Sequence, residues 1–340
     1  MNATVLTGKI GALVGKLLKD EDFRQLLALK NVHEVAMYLK KLPSYRSYIP
    51  DMEEIHRRDL EASILRKNRD ETLRLRNYVT YPQKKLIDHL LYRYELDGVK
   101  KLLRLIHSGE DIEKRFICCD EDETIRKVME SKTVDEAVEV LKSKPYYRYL
   151  KSALNTYKES ALIGALENSL DFWYFKTLNK LLMQYSTKQT VLFFKRQVDL
   201  TNIMWIYRSK ILFGYSQERV LSLLLPFGIY TKGDVVSSIA SLSTREEFLE
   251  RLKSTPYGEI FKERYDIPEE FILERRIDKY LYQQAKRLIR DKKSGLNQLI
   301  GYVHLIEYEL KDLITVIETI RYSLDKDSAF KYLIRGGLNA

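Results

Sequence analysis

Glu95, Asp199 and Glu309 are the first residues of this chain to weigh for chemistry. Each lies in an apolar helical stretch and opens the same pattern, acid-x-x-[Gly/Asn/Asp]-apolar, written ELDGV, DLTNI and ELKDL. If a repeating fold brought the three carboxylates together, they could ligate a metal ion or work as acid and base. The plainer expectation is that each acid caps, pairs or faces solvent within its own module, because repeated residues usually preserve a repeated packing contact.

Other candidates fail on their chemistry. Gly11-Ala12-Leu13-Val14-Gly15-Lys16-Leu17 suggests a phosphate loop. Its glycines are one residue too close, however, and Leu17 replaces the hydroxyl that would meet magnesium, so a helix start with small residues is expected. His33-Glu34-Val35-Ala36-Met37 begins like a zinc-protease motif, but Met37 stands where the second histidine must be. His56, His89, His107 and His304 are scattered, and His304 with Glu307 makes only a helix-face pair of low specificity. The adjacent Cys118 and Cys119 lack zinc-knuckle spacing and read as ordinary thiols. No catalytic, cofactor-binding or metal-ligating residue is assigned, and no cofactor is expected.

The elements that carry these residues repeat three times. Asn31–Pro43 (NVHEVAMYLKKLP), Thr133–Pro145 (TVDEAVEVLKSKP) and Thr244–Pro256 (TREEFLERLKSTP) all fit [NT]-x-x-E-apolar-x-x-x-L-K-x-x-P. Asn31, Thr133 and Thr244 can cap a helix, and Glu34, Glu136 and Glu247 can return a bond to the cap, a capping box that is strict for the two Thr copies. Val35, Ala137 and Phe248 stack one turn before Leu39, Leu141 and Leu252. Lys40, Lys142 and Lys253 suit the negative end of the helix dipole. Pro43, Pro145 and Pro256 then stop the helix, and Tyr45, Tyr146 with Tyr147, and Tyr257 follow. The prolines stand 102 and 111 residues apart, and the acids lie 52, 54 and 53 residues after them. Arg104 and Arg208 each follow their acid by nine residues, where the third copy has Glu318.

Each copy therefore reads as a short capped helix, a long helix and a second long helix bearing the acid. Leu162, Leu166, Trp173, Leu178, Leu181, Leu182 and Tyr185 mark a core stripe in the middle copy, as Ile277, Leu281 and Leu288 do in the third. The fold class expected is all-α, with helical modules at about 1–115, 116–225 and 226–340.

Composition agrees. Hydrophobic residues at 45% and charged residues at 31%, with only 14 Gly and 7 Pro, suit helices and leave too few turn residues for a β-sandwich. The longest apolar runs, Val191–Phe194 and Leu223–Phe227, fall far short of the roughly 20 residues of a membrane span. Lys9 and Lys16 interrupt the apolar start, so no secretory signal is expected. A net charge of +10 favours acidic partners, although the mixed run Ile64–Glu71 reads as a solvated helix face.

The opening GKLLKDEDFRQLLALKNVHEVAMYLKK, the helix from Glu95 to Gly109, LLPFG at Leu224–Gly228 and the closing YELKDLITVIETIRYSL resemble the C subunit of archaeal and bacterial V-type ATPases, the family of the eukaryotic d subunit. The similarity covers nearly the whole chain, and the family's aromatic-rich opening segment is shortened here. The resemblance implies a funnel of three similar helical domains about a pseudo-three-fold axis. It implies a non-catalytic central-stalk protein that links the rotor shaft to the membrane proteolipid ring and transmits torque for proton or sodium transport. Partners would be the central rotor shaft subunits, the ring and anionic lipid, with no nucleic acid, at the cytoplasmic face of the membrane. The alternative is a basic helical-repeat protein that binds nucleic acid through Lys100, Lys101, Arg104 and Arg208. Modules of about a hundred residues, however, cannot read one base each.

Overall fold

A computed structural model describes residues 3–112, 122–261, 269–291 and 294–335; Cys118 and Cys119 lie outside them. The chain is all-α: among the described residues there are sixteen α-helices and no strand. They gather into two compact units, Leu39–Tyr185 (the middle unit) and Met1–Tyr38 with Ser186–Ala340 (the terminal unit).

The middle unit starts within α3 (Val32–Lys41) and holds α4 (Arg57–Leu75), α5 (Tyr81–Ser108), α6 (Glu123–Met129), α7 (Val134–Val140), α8 (Tyr147–Ser160) and α9 (Gly164–Tyr185). Helix α5 packs on both α4 and α9. It runs antiparallel to α9: His89 Nε2 lies 2.8 Å from Tyr174 O, Lys100 pairs with Asp171, and Arg104 pairs with Glu167. Gly109 ends α5 at φ 66°, the left-handed conformation that lets Glu110 N–H donate back to Leu105 O at 3.0 Å.

The terminal unit holds α1 (Ala3–Val14), α2 (Asp20–Ala28), most of α3, and α10 (Lys188–Ile206), which continues as a π-helical turn over Tyr207–Leu212. It also holds α11 (Gln217–Leu223), α12 (Gly233–Ala240), α13 (Arg245–Lys253), α14 (Glu269–Arg290), α15 (Gly295–Arg321) and α16 (Lys326–Tyr332). Helix α15 is its spine, packed by α14, α1, α2 and α16 and buried on nearly every side. Gly301 permits that closeness, since a Cβ there would stand 2.8 Å from Ala285 O.

The repeated motif folds three times. Helices α3, α7 with its 3₁₀ extension Leu141–Ser143, and α13 each end two or three residues before Pro43, Pro145 and Pro256. The stacked pairs and the following Tyr45, Tyr146 and Tyr257 are all buried. Glu34, Glu136 and Glu247 N–H donate to Asn31 Oδ1 (2.8 Å), Thr133 Oγ1 (3.2 Å) and Thr244 Oγ1 (3.3 Å). The return bond differs. Glu247 accepts from the cap's own N–H at 3.4 Å, whereas Glu34 and Glu136 accept from the residue before the cap, Lys30 (2.8 Å) and Lys132 (2.9 Å). In those two copies the carboxylate reaches one residue further to a donor outside the helix, so the strict box holds for one Thr copy, not both.

Two further expectations change. Gly11–Val14 form the last turn of α1, closed by Gly15 N–H donating to Gly11 O at 3.1 Å; the small residues end a helix instead of starting one. The run Ile64–Glu71 is not a wholly solvated face, because Ile64, Lys67 and Asn68 are buried. The Lys67 ammonium is held 4.5 Å above the Tyr45 ring and 3.2 Å from the Glu71 carboxylate, which offsets its desolvation. The core stripes behave as expected at Leu166, Trp173, Leu178 and Leu182, and at Ile277, Leu281 and Leu288, while Leu162, Leu181 and Tyr185 are half-buried. Among the described residues no helix is long and apolar enough to cross a membrane.

Candidate functional site

The three acids of the repeat each fasten a distant segment of chain. Asp199, on α10, is fully buried. It accepts from Ile229, Tyr230 and Thr231 N–H at 3.0, 3.1 and 2.9 Å, from the Thr231 hydroxyl at 2.8 Å and from the Tyr257 hydroxyl at 2.6 Å. Asn202, one turn on, accepts from Leu225 N–H at 2.9 Å and donates to Leu225 O and Thr231 Oγ1, each at 2.8 Å. The loop between α11 and α12 is thus laid across two successive polar residues of one buried helix face. Gly228 makes this possible: a Cβ there would overlap the Asp199 carboxylate and stand 2.7 Å from Thr231 Oγ1. Burial and the Asp199 hydrogen bond push the Tyr257 phenol well above its ordinary range, so it stays a donor.

Glu95, on α5, accepts from the Tyr146 hydroxyl at 2.6 Å and pairs with Lys144 at 3.2 Å. Lys144 also reaches Asp122 at 2.6 Å, so one ammonium ties α5 to both flanks of the second repeat motif. Burial, then the Glu95 charge, raises the Tyr146 phenol far above its usual value. Glu309, on α15, accepts from Leu18 N–H at 2.7 Å and pairs with Arg335 at 3.2 Å. Asp312, in register with Asn202, accepts from Ile334 N–H (2.6 Å) and Arg335 N–H (3.2 Å). Burial pushes its carboxyl up to about 6, against the pull of those donors and of Arg275 and Arg335.

The sequence expectation that each acid is satisfied within its own module is therefore corrected. Glu95 and Asp199 draw their partners from the segment around the next repeat motif, because the acid-bearing helix packs against the first long helix of the following copy: α5 on α9, α10 on α14. Arg104 pairs with Glu167 and Arg208 with Glu274 across the same two contacts. With Lys100 on Asp171, three of the cations considered for nucleic-acid phosphates are already matched to carboxylates. Tyr146, Tyr257 and the residue three positions after each acid (Gly98, Asn202 and Asp312) were visible as repeated letters, and their register with the acids was the signal that could have joined them. Thr231 and Lys144 carried no such signal.

His304 and Glu307 do pair, at 3.0 Å, but inside the core, where the imidazole lies against Phe193 and Phe194. His33 and Glu34 lie on α3, with Glu34 occupied at the cap. Among the described residues no group of three His, Cys, Asp or Glu is placed to hold a metal ion.

The chemistry of these positions is that of fasteners, and comparison with known proteins leads the same way. The family model for the ATP synthase (C/AC39) subunit matches residues 6–332. The A-type ATP synthase C subunit of Methanocaldococcus jannaschii is 24% identical over 94% of this chain and 77% of its own length. Its namesake in Methanosphaera stadtmanae is 22% identical over 97% and 87%, and that of Halorubrum lacusprofundi 26% over 76% and 75%. A match running through all three copies of the motif and all three acids places this chain in the ATP synthase (C/AC39) subunit family, as a rotary ATPase subunit.

Proposed function

We propose that this chain is a non-catalytic coupling subunit of the central stalk, joining the rotor shaft to the membrane proteolipid ring and carrying torque for proton or sodium transport. The observation that carries the reading is the family match over residues 6–332, with relatives named as ATP synthase subunits. The clasps support it mechanically. A part that transmits torque must not yield between its repeats, and hydrogen bonds that one repeat's acid accepts from the next resist such yielding. The repeat is taken as three modules, 1–115, 116–225 and 226–340; an experimental structure should superpose 31–109, 133–214 and 244–323.

The test is a complex purified with and without this protein. Its removal should leave ATP hydrolysis by the soluble part and abolish ATP-driven ion uptake into vesicles; uptake that persists would end the proposal. The isolated chain should show no saturable ATP binding at about micromolar concentration, since the sequence holds no phosphate-loop pattern beyond the failed match at Gly11–Leu17. In a salt wash of the intact complex, the ring should part from this protein before the shaft does, because charge contacts are screened beyond about 8–10 Å and apolar ones are not.

A further inference from the structure

The middle unit carries its charge unevenly along its helices. From Leu73 to Lys85, the end of α4 through the start of α5, there are four basic residues and no acid; from Lys180 to Tyr185, the end of α9, there is one more lysine and no acid. These segments share one end of the unit. His89 opposite Tyr174, Lys100 opposite Asp171 and Arg104 opposite Glu167 fix α5 and α9 as antiparallel. At 1.5 Å per residue, Tyr81 lies about 12 Å beyond His89 and Met183 about 13 Å beyond Tyr174, the same level to within a turn. Of the four basic residues, Arg76 pairs with Asp88 at 2.7 Å; at the other end of these helices Lys100 and Arg104 meet carboxylates, and Glu110 and Asp111 follow the helix stop.

The basic end is also the apolar one. Tyr81 is 71% exposed, Met183 64% and Leu73 47%, beside the exposed Arg74, Lys85 and Lys180. The Lys85 ammonium lies 5.3 Å from the Tyr81 ring centroid, leaving the ring's far side to solvent. An exposed phenol and thioether ringed by long basic side chains match the bilayer interface, where aromatic rings sit at headgroup level and Lys and Arg meet lipid phosphates.

We propose that this tip, built from the α4–α5 turn and the end of α9, seats on anionic lipid headgroups. The inference takes a membrane-side position from the proposed function, and vesicles test it without the ring. The full chain should sediment with vesicles containing about a third phosphatidylglycerol, not with phosphatidylcholine alone, and raised salt should release it. Arg74→Glu with Lys85→Glu and Lys180→Glu should cut binding at least ~100-fold, and Tyr81→Ser with Met183→Ser about tenfold. Lys41→Glu with Lys132→Glu and Lys142→Glu changes net charge equally at exposed sites elsewhere in the unit and should reduce binding far less. Equal loss in that control, equal binding to neutral vesicles, or no vesicle binding at all would overturn the proposal. Binding to delipidated ring but to no vesicle would assign the tip to protein, removing the lipid contact while leaving the coupling role intact.

Discussion

Asp199 and Glu95 stand at the same place in their repeats and hold the next repeat by unlike means. Asp199, in the terminal unit, is fully buried and gathers three backbone N–H groups and two hydroxyls. Glu95, in the middle unit, keeps its side chain 18% exposed and uses one hydroxyl and one ammonium. A nest of N–H donors can hold a charge in the core, but only if the backbone comes within hydrogen-bond reach, and Gly228 is what that approach requires. An ammonium on a four-carbon stem makes no such demand on the backbone, and it stabilises less where water still screens it.

The comparison breaks most directly on the acids themselves. Asp199→Ala should cost about 3–5 kcal/mol, since five donors lose one buried acceptor. Glu95→Ala should cost about 1–3 kcal/mol, because Lys144 keeps Asp122 and only the Tyr146 hydroxyl is stranded. Urea unfolding measures both, with amide exchange at residues 229–231 as the local readout. Equal losses would show that the two clasps do not differ in kind.

Acid should act in opposite directions through one buried group in each unit, His89 and Asp312. In the middle unit, burial lowers His89 to about 4, despite its hydrogen bond to Tyr174 O. The unfolded chain takes up this proton below about pH 6.5 and the folded chain only near pH 4, so its stabilising effect is full above 6.5 and falls by up to about 3 kcal/mol on the way to 4. Asp312 in the terminal unit titrates near 6 when folded and near 4 when unfolded, so its contribution is present at low pH and lost as pH rises through 6. Between pH 7 and 4.5, exchange protection around His89 should therefore fall and that around Ile334 should hold or rise. His89→Gln should flatten the first profile; a middle unit insensitive to pH would refute the assignment.

Gly228→Ala should cost about 2 kcal/mol by forcing a methyl group onto the Asp199 carboxylate. The sharper measurement is the double variant with Asp199→Ala. With the carboxylate gone the methyl group has room, so the combined loss should be smaller than the sum. Additive losses would mean that Gly228 serves some other contact.

What the sequence disclosed follows range. Caps, stop prolines and the stacked pairs depend on residues within about one helical turn or two, and the cap bond, the stop and the stacked pair form in all three copies, while the strict return bond forms only at Thr244. The acids were found as repeated letters, but their partners lie 51 and 58 residues away, at Tyr146 and Tyr257, and no local rule reaches so far. LLPFG was legible as a pattern, while the reason for its glycine is a carboxylate on another helix. Lys67 misled for the same reason: a charged residue in a charged run reads as solvated unless Tyr45 is known to lie beneath it.

The smallest expected effect is at the caps, and it separates local from long-range design. Thr133 in the middle unit and Thr244 in the terminal unit receive the same bond from the third helical N–H, at 3.2 and 3.3 Å. Thr133→Ala and Thr244→Ala should each cost about 1 kcal/mol, because the lost acceptor is the same group in the same geometry. The returning carboxylates differ: Glu247 reaches the cap's own N–H, and its hydrogen bonds, that with Thr244 foremost, hold its carboxyl below the ordinary glutamate value. Deprotonated Glu247 is the form that accepts, so its contribution is present above the unfolded pKa and fades as pH falls through the lowered folded one. Amide exchange at residues 244–247, followed from neutral pH downward, should lose protection only in acid, and Thr244→Ala should move that loss to higher pH. If Thr133→Ala and Thr244→Ala differed as widely as Glu95→Ala and Asp199→Ala, the contrast between the clasps would be one of overall unit stability and not of how each carboxylate is held.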